Sequence, residues 1–99
     1  MKIRELKPGM ENVDLVAKIV ELREPRKVTT YNKIERIIVE GTVEDETGTA
    51  LITVWDDVIK QLDGLSEGDF VKLSKCFITS FKRVIHINLG RDSKILKRT

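Results

Sequence analysis

Three large aromatic side chains carry the chemistry that this sequence offers. Trp55 ends the alternating run Thr49-Ala50-Leu51-Ile52-Thr53-Val54-Trp55, while Phe77 and Phe81 flank Ile78-Thr79-Ser80 ahead of basic Lys82 and Arg83. Ala50, Ile52 and Val54 claim the inward side of the first run, so Trp55 points away from the core. A flat π-surface beside lysine and arginine suits a single-stranded nucleic acid, because every base has a face to stack and every phosphate a charge to neutralise. The competing reading packs Trp55 against a loop or a partner subunit and keeps both phenylalanines in the core, where that residue type usually sits. Val71 and Leu73 set the inward side of the strand that carries Phe77, although a bulge could switch that alternation.

Charge is unevenly spread along the 99 residues, whose net charge is only +2. Arg23 to Arg36 holds five basic and two acidic residues, Glu40 to Asp69 nine acidic and one basic, and Lys72 to Thr99 eight basic and one acidic. If the fold brings the two basic segments together, the molecule is dipolar and presents the one-sided patch of a polyanion binder; otherwise the blocks merely solvate loops. Arg26, Lys27, Lys33, Arg36, Lys82 and Arg83 are the candidate phosphate partners.

Catalysis finds little support. The lone Cys76 and lone His86 cannot supply a typical metal coordination set, and no metal or cofactor is expected. Asp56 and Asp57 are adjacent and diverge on any regular element, so capping a helix explains them better than acid/base work. Gly64 and Gly68 lack the Gly-Lys-Ser/Thr pattern of a phosphate loop. The chain therefore reads as a non-enzyme. One cysteine makes no internal disulfide, and no apolar run reaches the ~20 residues of a membrane helix or the pattern of a signal peptide, so an intracellular setting is expected.

The elements that must position these residues are short and mostly extended. Val13 to Leu22 reads as the first strand, Ile34 to Glu44 as the second, Thr49 to Trp55 as the third, Phe70 to Phe77 as the fourth and Val84 to Leu89 as the fifth. Ile37, Val39, Gly41 and Val43 are assigned inward, with Gly41 marking a bulge or sharp bend. Asp45-Glu46-Thr47-Gly48 is the turn of a hairpin, with Gly48 free to take positive φ. Asp56 and Asp57 open a short helix through Leu62, which Gly64 stops. Phe70 is placed in the core or beneath that helix, and residues 91–99 are a basic tail of uncertain order. Five curved strands with one short helix between the third and fourth specify an all-β, five-stranded OB-fold barrel occupying residues 1–99 as a single domain. That architecture binds on the face of its second and third strands, between the loops here spanning Arg26 to Lys33 and Ile78 to Arg83. Thr53 and His86 project toward the same face, and Ile38 and Leu51 suggest an apolar floor under bases.

At these residues the chain resembles the single-OB single-stranded DNA-binding proteins of archaea and their relatives in archaeal replication protein A and the human sensor of single-stranded DNA. The likeness rests on Leu6-Lys7-Pro8 with Met10, Asp45-Glu46-Thr47-Gly48, Thr53-Val54-Trp55, and Phe77…Phe81 followed by Lys82. It implies that Trp55, Phe77 and Phe81 stack on successive bases of single-stranded DNA and that replication or repair proteins are partners. Phe77 stands where some relatives carry tryptophan, which implies weaker stacking. The long glycine-rich or acidic tail of some relatives is missing, so recruitment of partners through such a tail is not expected and the chain reads as one module of a longer protein; separately, a monomer is favoured. Two rivals stay open: an RNA- or tRNA-binding OB module using the same stacking, and a protein-interaction OB subunit that docks through its acidic segment.

Overall fold

Strand β1 (Val13–Leu22) serves two neighbours and thereby closes the sheet on itself. In the computed structural model, which describes residues 1–98, residues 13–18 of β1 pair antiparallel with β5 (Phe70–Phe81). Residues 18–22 turn to pair with β3 (Glu35–Asp45). The register shifts between Ile19 and Glu21, a bulge that coils the strand across the barrel. Gly41 sits opposite that bulge. A β-carbon there would lie 2.3 Å from the Glu21 carbonyl oxygen, so only glycine lets the strands meet.

The order around the barrel is β1-β3-β4-β6-β5, with β5 returning to β1. β4 is Gly48–Trp55 and pairs antiparallel with β3 and parallel with β6 (Val84–Leu89). A 3-10 helix, Asp56–Leu62, follows β4 and packs Val58 into the barrel, with Ile59 and Leu62 against its edge. The core is filled from every strand of the ring: Leu15, Ala17 and Ile19, then Val39 and Val43, Ile52 and Val54, Val71 and Leu73, and Ile87 and Leu89. Cys76 belongs to it too. Burial pushes its thiol up to about 12, so it behaves as a small apolar side chain.

Two further strands enlarge the expected five. Arg26–Thr29, expected as loop, forms β2 and pairs with β3 into an arm closed by the turn Thr30 to Lys33. Lys94–Lys97, within the expected tail, forms β7 on β5, with Ile95 buried against the core. Gln61 fastens this segment: its amide donates to the Ser93 carbonyl at 3.1 Å and accepts the Ile95 N–H at 2.8 Å. Thr99, the last residue of that tail, lies outside the described residues. The helix thus falls between β4 and β5 in this numbering.

Four local expectations are corrected. Positive φ occurs at Gly64, the helix stop, but not at Gly48; the β3–β4 turn is held instead by the Asp45 carboxylate, which accepts the Thr47 N–H at 2.7 Å. Asp56 and Asp57 make no capping hydrogen bond, because Asp56 turns back to β3. Phe70 is 53% exposed rather than packed in the core. Finally, the Ile78 to Arg83 loop shrinks to two residues, since β5 runs on to Phe81 and Phe81 pairs with Val84.

Gly41→Ala should lower the unfolding free energy by about 1–3 kcal/mol through overpacking against β1. Gly48→Ala, where a β-carbon meets nothing within 4 Å, should be near neutral. Urea midpoints of the two variants at unchanged m-value test this; equal midpoints would remove the role assigned to Gly41.

Candidate nucleic-acid interface

The phase of β5 decides where its aromatics point. Val71 and Leu73 face inward, then Lys75 adopts φ 55 and donates its N–H to the Asp14 carboxylate at 2.9 Å. The pairing with β1 slips there, three residues of β5 spanning two of β1. Beyond the bulge Cys76 and Ile78 are buried, so Phe77, Thr79 and Phe81 point out. Phe77 is 40% exposed and Phe81 65%, which places neither in the core.

Registers then assemble one outward face from four strands. Glu40, Thr53, Asn88 and Phe77 form a transverse row across β3, β4, β6 and β5, and Thr42, Leu51, His86 and Thr79 form the next. Trp55 lies one step beyond the first row, opposite Ile38, and Phe81 ends the face opposite Val84. With strands about 4.8 Å apart, β4 and β5 are separated by about 10 Å, and Phe77 and Phe81 by about 13 Å along β5. Three flat side chains thus bracket a floor of Ile38, Thr53 and Asn88, all buried by neighbouring side chains yet outside the barrel core. The Asn88 amide donates to the Thr79 hydroxyl at 3.0 Å and the Phe77 carbonyl at 3.3 Å, fixing the floor between β6 and β5.

Two of the platforms already carry a cation. The Arg36 guanidinium lies 4.9 Å from the Trp55 ring centroid, and Lys82 Nζ lies 5.3 Å from that of Phe81. Arg36 is held there by Asp56, whose carboxylate accepts its Nε–H at 2.6 Å and the Ile37 N–H at 3.1 Å. The hydrogen bond from Arg36, then that from Ile37, holds the Asp56 carboxyl below its usual 3.8. Trp55 Nε1 is buried without a partner at the edge of a pocket of about 410 Å³ that Arg36, Asp56, Gln61 and Arg91 help to line.

The other sequence candidates divide. Arg26 is on the aromatic face but ion-paired with Glu40 at 2.7 Å. Lys27 pairs with Ile37 and so occupies the opposite side of the arm from Arg26. Lys33 sits in the arm's turn at φ 62. Lys82 and Arg83 are exposed at the tip of the β5–β6 hairpin with φ 51 and 68, the mirror-image turn that Asn-Gly normally fills. His86 is half-buried within the face and Thr53 forms part of its floor. Arg91 beside the Trp55 pocket and Tyr31, 97% exposed in the arm's turn, were not singled out from sequence. Tyr31 was visible there as a lone aromatic inside a basic segment; Arg91 reaches the pocket only through the tertiary fold. Among the described residues no group of three His, Cys, Asp or Glu could hold a metal, and no helix is long and apolar enough to cross a membrane.

A family model described as "Single-stranded DNA binding protein Ssb-like, OB fold" matches residues 6–96. The chain belongs to that family. Among similar Ssb-like proteins is the single-stranded DNA binding protein Ssb of Saccharolobus solfataricus, 36% identical over 95% of this chain and 61% of that protein. Replication factor A of Methanothermobacter thermautotrophicus is 31% identical over 73% of this chain and 9% of that protein. The chain thus spans about three-fifths or less of the length of these curated relatives. The Ssb-like barrel also superimposes on a replication factor A related protein from Methanobacterium thermoautotrophicum with a TM-score of 0.84, 23% identity, and coverage of 99% of this chain and 89% of that one.

Because the folded Asp56 pKa is depressed, the Arg36–Asp56 pairing is intact above about pH 3.8 and is lost as pH falls through the lower folded value. Trp55 is the sole tryptophan, so its emission should shift in that acid range as Arg36 leaves the ring. Asp56→Asn should show the shifted emission already at neutral pH and no such acid step. Superimposable titrations of the two proteins would contradict the coupling.

Proposed function

We propose that this chain binds single-stranded DNA with little sequence preference and protects or presents it during replication, recombination or repair. The carrying observation is that half-buried Trp55 and exposed Phe77 and Phe81 share one continuous outward face, beside the basic hairpin tip Lys82-Arg83. Extended DNA lies across the strands with bases on the three rings, each of the outer two backed by a cation, while Lys33, Lys82 and Arg83 neutralise phosphates. Arg26 and Arg36 act chiefly as struts, since acidic neighbours hold them. Low sequence preference follows from stacking and from a floor whose amide donors are spent on Thr79 and Phe77. The name of the Saccharolobus relative supports DNA over the RNA and scaffold alternatives. The protein works by binding rather than by catalysis, inside the cell on nucleoid DNA, as a monomer at the DNA with replication or repair proteins as partners.

Binding of oligo-dT should quench Trp55 emission, and Trp55→Ala should weaken binding by about 1–3 kcal/mol while the fold persists. Phe77→Ala and Phe81→Ala should each weaken binding within that range with far less than the ~3–5 kcal/mol stability loss of a core cavity. A folded Trp55→Ala protein with unchanged affinity would sink the proposal. Tighter binding of rU than of dT oligomers would turn it toward the RNA reading.

Lys82→Asn with Arg83→Gly should separate function from stability. The pair suits the left-handed turn, so stability should rise by about 1–2 kcal/mol. The slope of log K against log salt should flatten by about 0.7 for each phosphate that the variant no longer neutralises. Thermal melts and salt titrations of one sample measure both; an unchanged slope would remove the hairpin tip from the DNA path.

A further inference from the structure

Across the barrel from Trp55, the outer face of β1, β5 and β7 exposes an apolar strip that the DNA site does not use. Val16 is 39% exposed, Phe70 53% and Leu96 56%. Lys72 pairs with both Val16 and Leu96, so Phe70, two residues earlier on β5, lies diagonal to each, within side-chain reach. Val16 and Phe70 also line a groove of about 500 Å³. Lys72 stands between Val16 and Leu96, Lys18 opposite Phe70 and Lys94 opposite Ser74 flank the strip, and Arg98 donates its N–H to the Phe70 carbonyl at 2.8 Å. The nearby acids are mostly engaged. Glu46 pairs with Lys2, Asp45 accepts the Ile3 N–H at 2.8 Å, Asp14 accepts the Lys75 N–H at 2.9 Å, and Asp69 lies 3.7 Å from Lys97, while Glu44 stands beside Lys18.

We propose that this strip is a docking surface for an acidic amphipathic segment of a second protein. Its apolar side chains cover Val16, Phe70 and Leu96 while its carboxylates meet Lys18, Lys72, Lys94 and Arg98. The cations Lys18, Lys72, Lys94 and Arg98 outnumber the acids Asp14 and Glu44 on this face, and an apolar patch with such an excess favours a partner with apolar residues and the opposite sign. Nucleic acid fits the strip poorly, because Phe70 is its one ring and the neighbouring Val16 and Leu96 have no π-face for a second base. Trp55 on β4 lies across the closed ring from the β1–β5 seam, and Phe77 and Phe81 lie on the half of β5 beyond the Lys75 bulge, against β6, so both sites can be filled at once.

The probe is a fluorescein-labelled synthetic amphipathic helix of leucine and glutamate, with a leucine–lysine helix of the same pattern as control, read by anisotropy. The acidic peptide should bind, weaken with salt, and coexist with saturating oligo-dT, whereas the basic control should not bind. Phe70→Glu with Leu96→Glu should weaken the peptide by at least about tenfold while leaving dT quenching of Trp55 intact. Should that double variant lose its fold, Lys18→Ala with Lys72→Ala gives the same readout through a smaller loss. Absence of peptide binding, equal binding of both peptides, or displacement by oligo-dT would overturn the proposal. So would a dimer in sedimentation velocity that Phe70→Glu dissolves, or a loss of long-oligonucleotide affinity in the Lys72 variant. Since the peptide is read without DNA, failure of the DNA site leaves this result interpretable.

Discussion

The side-chain period of a strand is two, so a single displaced residue decides which half of its side chains faces water. In β5 that displacement is Lys75. Without it the inward series Val71, Leu73 would continue through residues 75 and 77, burying Phe77 and pushing Cys76 and Ile78 outward. The left-handed Lys75 backbone, with its N–H on the Asp14 carboxylate, resets the series so that Cys76 and Ile78 fill the core. One bulge therefore completes the barrel interior and frees two aromatics. The β1 bulge opposite Gly41 does the complementary work, letting one strand bridge β3 and β5 so that the outer faces join into continuous surfaces.

Much of the barrel was legible because alternation reports burial directly. Val13–Leu22 and Val84–Leu89 fall where the pattern puts them, and Trp55 faces outward as its place after Ala50, Ile52 and Val54 requires. What was illegible depends on partners distant in sequence. β2 and β7 are four residues each, too short and too basic to announce themselves, and exist as strands because β3 and β5 offer them backbone groups and, for β7, because the core takes Ile95. Phe70 looks like a core residue by type, yet it alternates with buried Val71 and must face out. The turn at Lys82-Arg83 hid for another reason. Its residues lack the glycine and asparagine that usually announce positive φ.

In the site, the positions of the aromatics were readable and the state of the charges was not. Arg36 and Arg26 read as free cations along the chain, but Asp56 and Glu40 lie 20 and 14 residues away and claim them in space. Pairing changes what such a cation can offer. A guanidinium held by a carboxylate has part of its field neutralised and its side-chain freedom already restricted, so it contributes less attraction to phosphate and more rigidity to the ring beneath it. Asp56 was misread for the same reason: its sequence position suited a cap, while its side chain serves β3.

The hairpin tip combines these themes. Lys82 and Arg83 both occupy the left-handed region, where side chains other than glycine, asparagine and aspartate are costly, by about 1–2 kcal/mol each. Neither residue packs into the core, so nothing in the fold requires lysine or arginine there; a tight two-residue link between β5 and β6 would be served better by smaller residues. What the pair provides is charge held by a short, stiff turn at the end of the aromatic face, with Lys82 folded onto Phe81. A flexible loop could carry the same charge without strain, but it would lose conformational entropy whenever a phosphate fixed it in place. Here that ordering is completed during folding, and the backbone strain persists because the paired strands on both sides over-determine the turn.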